Sequence, residues 1–174
     1  PNLGWIDLPF GELIHSAIKG HIGVCPRVVL GNDANLGAIA EYVRGAATAA
    51  SSVVYLSGDV GVGGGVVLGG QVLAGGSGYA GELGHLVVNP HGQPCACGSK
   101  GCWETEVGRD AILGAAGFNL GQDSFPELLD AAKSDPEGMA VKLMEVGEWV
   151  GVGLVNLMNS IDPNYIVLGG HLAE

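Results

Sequence analysis

Apolar residues fall into three patterns along this chain, and each predicts a different kind of element. Short runs rich in β-branched residues, bounded by Gly, Asn or Asp, read as strands: Arg27–Leu30, Ser52–Ser57, Gly63–Leu68, Gln71–Leu73 and Tyr165–Leu168. The Gly69-Gly70 pair between two of these runs predicts a tight turn, so residues 52–73 read as an antiparallel meander. Helical spacing is the second pattern. Leu36, Ile39, Ala40 and Val43 predict a helix from Ala34 to Gly45, and Pro9 ahead of Phe10–Leu13 predicts another over 10–20. Further helices are expected at 108–116, 125–133 and 137–160. The last has Val141, Met144, Val150, Leu154, Leu157 and Met158 on or near one face. No fixed-period repeat runs through the chain.

The third pattern is the lack of one. Residues 75–104 are glycine-rich and follow neither period. An irregular stretch of that length inside a compact domain is usually functional, and something must pin it.

The 174 residues fit one or two small domains, and 47% are apolar, enough for a substantial core. No apolar run reaches the ~20 residues that span a bilayer, and no basic-then-apolar segment opens the chain. The expected setting is the cytoplasm. The net charge of −11 repels phosphate backbones, so these residues are not expected to bind nucleic acid themselves. The first residue is Pro1 rather than Met, and Glu174 closely follows a strand-like run; both ends suggest a piece of a longer protein.

Four cysteines change the picture. Cys95, Cys97 and Cys102 lie within eight residues, with Gly98 and Gly101 inside the loop. A disulfide scaffold would spread its cysteines; clustered thiols in a reducing compartment read as a metal site. Zinc prefers four tetrahedral sulfur and nitrogen ligands, and His85 and His91 are both candidates for the fourth. The distant Cys25 is expected to be a small core residue. Glu82 and His85 lie three apart, so a helical turn would point both the same way, and Glu104 is tied to the last cysteine. Carboxylates and imidazoles of this kind form paired hydrogen bonds with sugar hydroxyls. Asn32 and Asp33, read alone, suit a helix cap.

Gly81-Glu82-Leu83-Gly84-His85, followed by Cys95-Ala96-Cys97-Gly98-Ser99-Lys100-Gly101-Cys102-Trp103-Glu104, resembles the signature of the ROK family (repressor, open reading frame, kinase). Gly61-Val62-Gly63-Gly64-Gly65, with the later Gly69-Gly70 and Gly75-Gly76, resembles that signature too, and Asn32-Asp33-Ala34-Asn35 resembles the family's sugar-site motif. The resemblance implies an α/β chain of actin-like, ribonuclease H-like fold. Residues 1–50 would end an N-terminal sugar-binding lobe, and 51–174 would form a C-terminal lobe carrying a zinc loop at 85–102. It implies a structural zinc on His85, Cys95, Cys97 and Cys102, with His91 the second choice, and sugar contacts from Asn32, Asp33, Glu82, His85 and Glu104. It also implies a homodimer or higher homo-oligomer.

Two activities occur in such proteins. A kinase would use Asp33 as the general base on a sugar hydroxyl, with ATP and magnesium. Kinases of the family carry Gly-Thr-Gly where this chain has Asp59-Val60-Gly61. Val60 lacks the hydroxyl that would bond phosphate, and Asp59 turns a negative charge toward ATP. The other phosphate loop, Asp-x-Gly-x-Thr, is absent from these 174 residues. The expectation is therefore a sugar-sensing effector domain of a transcriptional repressor. DNA would be bound by an N-terminal helix-turn-helix domain outside these residues. An ATP-dependent, glucokinase-like hexose kinase is the alternative.

Overall fold

The computed structural model describes residues 7–121 and 123–174. They divide into two compact units, residues 1–32 and 33–174.

The first unit contributes helix α1, Phe10–Ile22, which ends at Gly23. Gly23 adopts φ 77°, and its N–H donates to the Lys19 carbonyl at 2.9 Å, a left-handed cap that suits glycine. Residues 24–32 form neither helix nor strand, so the strand expected at Arg27–Leu30 is absent. A β-branched run becomes a strand only with a ladder to join. No described strand pairs with this one, and Val29 is 72% exposed. Cys25 is half-buried, its thiol donating to the Pro26 carbonyl at 3.2 Å, and it belongs to no apolar cluster; it is not the core residue expected.

In the second unit, helix α2 (Asp33–Arg44) precedes a four-stranded sheet of β1 (Ser52–Gly58), β2 (Val62–Leu68), β3 (Gln71–Val72) and β4 (Tyr165–Gly170). The sheet order is β3-β2-β1-β4. The first three strands form the expected antiparallel meander, with Val54 opposite Val66. The chain returns through helices and lays β4 parallel to β1, pairing Val54 with Ile166 and Gly58 with Gly170. Both strands therefore end at one edge. The Asn164 side-chain oxygen fixes their starts, accepting the Ser51 and Ser52 backbone N–H groups at 3.0 Å each.

Strand alternation divides the core. Val54, Leu56 and Val66 face one side with Trp103, Val107 and Leu157, and Val53 and Val67 face the other with Ala38 and Ala47. Helix α2 lies against β1 and β2 through its small residues, Ala34 and Ala38, while Leu36, Ile39 and Val43 are exposed. The reason is Gly65: a Cβ there would stand 2.5 Å from the Ala34 carbonyl oxygen, so helix and strand approach closer than large side chains permit.

The remaining helices are α3 (Trp103–Val107), α4 (Arg109–Ala116), α5 (Phe125–Ser134), α6 (Pro136–Lys142) and α7 (Met144–Ile161). The single helix expected over 137–160 is two, broken at Leu143. Two cores explain the break. Met139 and Leu143 pack into a helical cluster with Ile112, Leu113 and Leu128, whereas Val150, Leu154 and Leu157 pack toward the sheet. Val141, Met144 and Met158 are exposed rather than buried. Among the described residues, no helix is long and apolar enough to cross a membrane.

Candidate metal centre and ligand cavity

The glycine-rich segment is irregular but well tied. Isolated bridges join Val87 to Cys102 and Pro94 to Lys100, the Cys95 N–H donates to the Ser99 carbonyl at 2.8 Å, and the Trp103 N–H donates to Leu86 at 2.7 Å. Gly101, at φ 66°, presses so close to the Asn89 carbonyl that any Cβ would overlap it. Immediately after Cys102 the chain enters α3. Trp103 is buried there, and its indole N–H donates to the Trp149 carbonyl of α7 at 2.9 Å.

These ties gather His85, Cys95, Cys97 and Cys102, whose ligand atoms all lie within 4.8 Å of one another. Cys97 Sγ is 3.6 Å from Cys102 Sγ, and Cys95 Sγ is 3.6 Å from His85 Nδ1. A tetrahedral zinc with usual bond lengths has edges of about 3.8 Å between sulfurs and about 3.6 Å between sulfur and nitrogen. The donor set thus fits such an ion in both chemistry and spacing. His91 is exposed and stands outside the group. Burial, then hydrogen bonding and repulsion from the two neighbouring thiols, pushes Cys102 up to about 12. Exposed Cys97 is lowered, first by the Ser99 backbone and then by the Cys95 and Cys102 thiols. A cation in the cage would deprotonate such thiols outright, so protons compete with metal and affinity falls as the pH drops.

His85 serves a second space. It closes a 3₁₀ turn, Leu83–His85, which starts just after Glu82. Glu82, His85, Glu104 and Asp33 all line one cavity of about 280 Å³, together with Ala34, Ser57 and residues 59–63. With Nδ1 toward the thiols, Nε2 is the nitrogen left for the cavity, and metal on Nδ1 fixes it as an N–H donor. Asp33 opens α2 and accepts its neighbour Ala34's N–H at 2.9 Å. Glu104 Oε2 accepts the Val62 N–H at 3.2 Å, and Gly61 leaves room for that carboxylate. The cavity therefore offers four carboxylate acceptors, Asp33, Asp59, Glu82 and Glu104, and metal on His85 Nδ1 would add one fixed donor. That set suits a neutral polyol and opposes an anion. Asn32 is the last residue of the first unit, one position before Asp33. The Val62 N–H and Ser57 belong to the cavity wall without any side-chain motif to mark them; the clue was the glycine run beginning at Gly61.

The sequence profile of the ROK family matches residues 1–174. The xylose repressor of Bacillus spizizenii is 31% identical over 174 residues, covering all of this chain and 44% of its own length. The glucokinase of Streptomyces coelicolor is 30% identical over 192 residues, covering all of this chain and 59% of its own. Among solved structures, a ROK family glucokinase from Streptomyces griseus in complex with glucose and AMPPNP superimposes with a TM-score of 0.79. It is 28% identical, over 98% of this chain and 58% of that one. A ROK family transcriptional regulator, homologous to the E. coli Mlc protein, gives 0.72 at 29% identity, over 90% of this chain and 42% of that one. The chain thus spans about half the length of these relatives.

Proposed function

This chain belongs to the ROK family, with its actin-like α/β fold, and on that premise we propose that it is the sugar-binding effector part of a transcriptional repressor. One cavity carries this reading. It joins Asp33, Glu82 and Glu104 to the imidazole of a Cys3His cluster that could hold a metal, and its wall is Asp59-Val60 rather than an uncharged, hydroxyl-bearing turn. Asn32 would complete the sugar contacts. Zinc, held by His85, Cys95, Cys97 and Cys102, would supply a fixed tetrahedral centre that shapes the loop. The protein residues then bind: carboxylates accept sugar O–H groups, and His85 Nε2 donates to a sugar oxygen.

Sugar held preferentially in one state of the whole protein would shift the equilibrium of a DNA-binding domain. That domain, a helix-turn-helix lying N-terminal to these residues, would supply the basic surface that a net charge of −11 does not. We also propose that the protein works in the cytoplasm, as a homodimer or larger homo-oligomer.

Asp33 in the cavity favours one second reading, an ATP-dependent glucokinase-like enzyme with Asp33 as general base. Calorimetry of the full-length protein with xylose, glucose and N-acetylglucosamine, beside an assay of ADP release, separates the two. The repressor reading expects saturable binding of at least one sugar without turnover; sugar-dependent ADP release would replace it with the kinase.

A further inference from the structure

A second cavity, of about 520 Å³, opens at the same sheet edge and shares Ser57 and Asp59 with the first. It lies at the carboxyl ends of parallel β1 and β4, where open α/β sheets receive ligands. The kinase alternative would set a nucleotide's phosphates on the turn that follows Gly58, between the two cavities.

The end of β1 is covered at Gly58, on one wall of that cavity. His171 follows β4 directly and turns its ring onto the end of β1: a Cβ built on Gly58 would stand 2.7 Å from His171 Nε2 and 2.6 Å from Leu172 Cγ. The ring also packs against Phe125, centroids 5.1 Å apart and tilted by 42°. Nε2 is buried without a hydrogen-bond partner, so packing rather than hydrogen bonding occupies this side of the ring. Burial holds the imidazole below its ordinary range, against a hydrogen bond to the Val107 backbone and the Asp59 and Glu174 carboxylates, which act the other way. Asp59 and Glu174 add carboxylates to the cavity wall, against one guanidinium, Arg109.

We propose that His171 is a specificity-determining residue that, with Asp59, screens the end of β1 at Gly58 from polyphosphates and so separates sugar binding from nucleotide binding in this chain. The ring covers the strand end where phosphate oxygens would need bare backbone, and the carboxylate repels what the ring does not block. This rests on the sugar-responsive reading and names how that reading is enforced.

The test is calorimetry of the full-length protein with magnesium and AMPPNP, on the unaltered protein, H171A, D59G/V60T and the triple variant H171A/D59G/V60T. H171S serves as a second small replacement should H171A fail to fold. The triple variant is expected to bind at least about tenfold tighter than D59G/V60T, while H171A alone keeps the unaltered protein's sugar affinity. Equal affinity of the triple and double variants overturns the role of His171, and so does tight binding by the unaltered protein. Failure of the underlying reading registers elsewhere, as absent sugar binding or sugar-dependent ADP release by the unaltered protein.

Discussion

The sheet and the cysteine segment sit side by side and are held by opposite means. Strands β1 and β2 bury Val53, Val54, Leu56, Val66 and Val67 almost completely, and helices cover both faces. The segment from residue 75 to Cys102 buries only Leu83, Val88, Cys95 and Cys102 among its apolar side chains. Its backbone is tied instead by two isolated bridges and by hydrogen bonds within turns and across the loop, such as Val88 N–H to the Gly101 carbonyl. Apolar burial scales with area and tolerates modest change. A cage of four ligands works as a whole: one missing donor leaves three without their ion. The region proposed to carry the chemistry is therefore the one with the smaller apolar core, and a bound metal would make it the more dependent on single side chains.

The sharpest way to break this contrast is Cys102→Ser. Losing a buried ligand is expected to cost at least about 5 kcal/mol, a whole domain's margin, and to abolish metal retention, read by thermal melting and elemental analysis. Leu56→Ala, in the sheet, is expected to cost about 3 kcal/mol by cavity formation and to leave the metal content unchanged. Metal loss in that variant would show that the two regions are not independently held. Glu82→Ala removes an exposed cavity carboxylate. It is expected to weaken sugar binding by roughly 10- to 100-fold in calorimetry, the worth of a hydrogen bond to a charged group, with an unchanged melting temperature. The smallest effect is expected outside both regions. Asp130→Ala breaks an ion pair with Lys133 on the exposed face of α5 and should shift stability by less than about 0.5 kcal/mol in denaturant titration.

The same contrast explains what could be read from sequence. Strands β1, β2 and β4 and helices α4 and α5 stand within about two residues of their expected positions, because burial on a fixed face writes its period into the chain. Where a strand-like run lacked a partner, composition misled; helix α2 forms where its spacing predicts, but close packing decides which face it buries. Arg27–Leu30 has strand composition but no ladder, and α2 turns Ala34 and Ala38 inward while its larger apolar residues stay outside. Helix α3 follows Cys102 directly and is only five residues long, too short for any period to announce. The three cysteines were legible from spacing. The choice between His85 and His91 was not, because it depends on how residues 85–102 double back through the Val87–Cys102 and Pro94–Lys100 bridges. The cavity lies further still from local pattern: Asp33, Glu82 and Glu104 come from three separate stretches, and Ser57 and the Val62 N–H from two strands.

What joins the two regions is His85, one nitrogen toward the thiols and the ring on the wall of the cavity. Calorimetric titration of the full-length protein with xylose and glucose, before and after chelator treatment and again after zinc is restored, tests that junction most directly. The account expects sugar affinity to vanish on stripping and return with zinc. Undiminished affinity in metal-free, folded protein would contradict it.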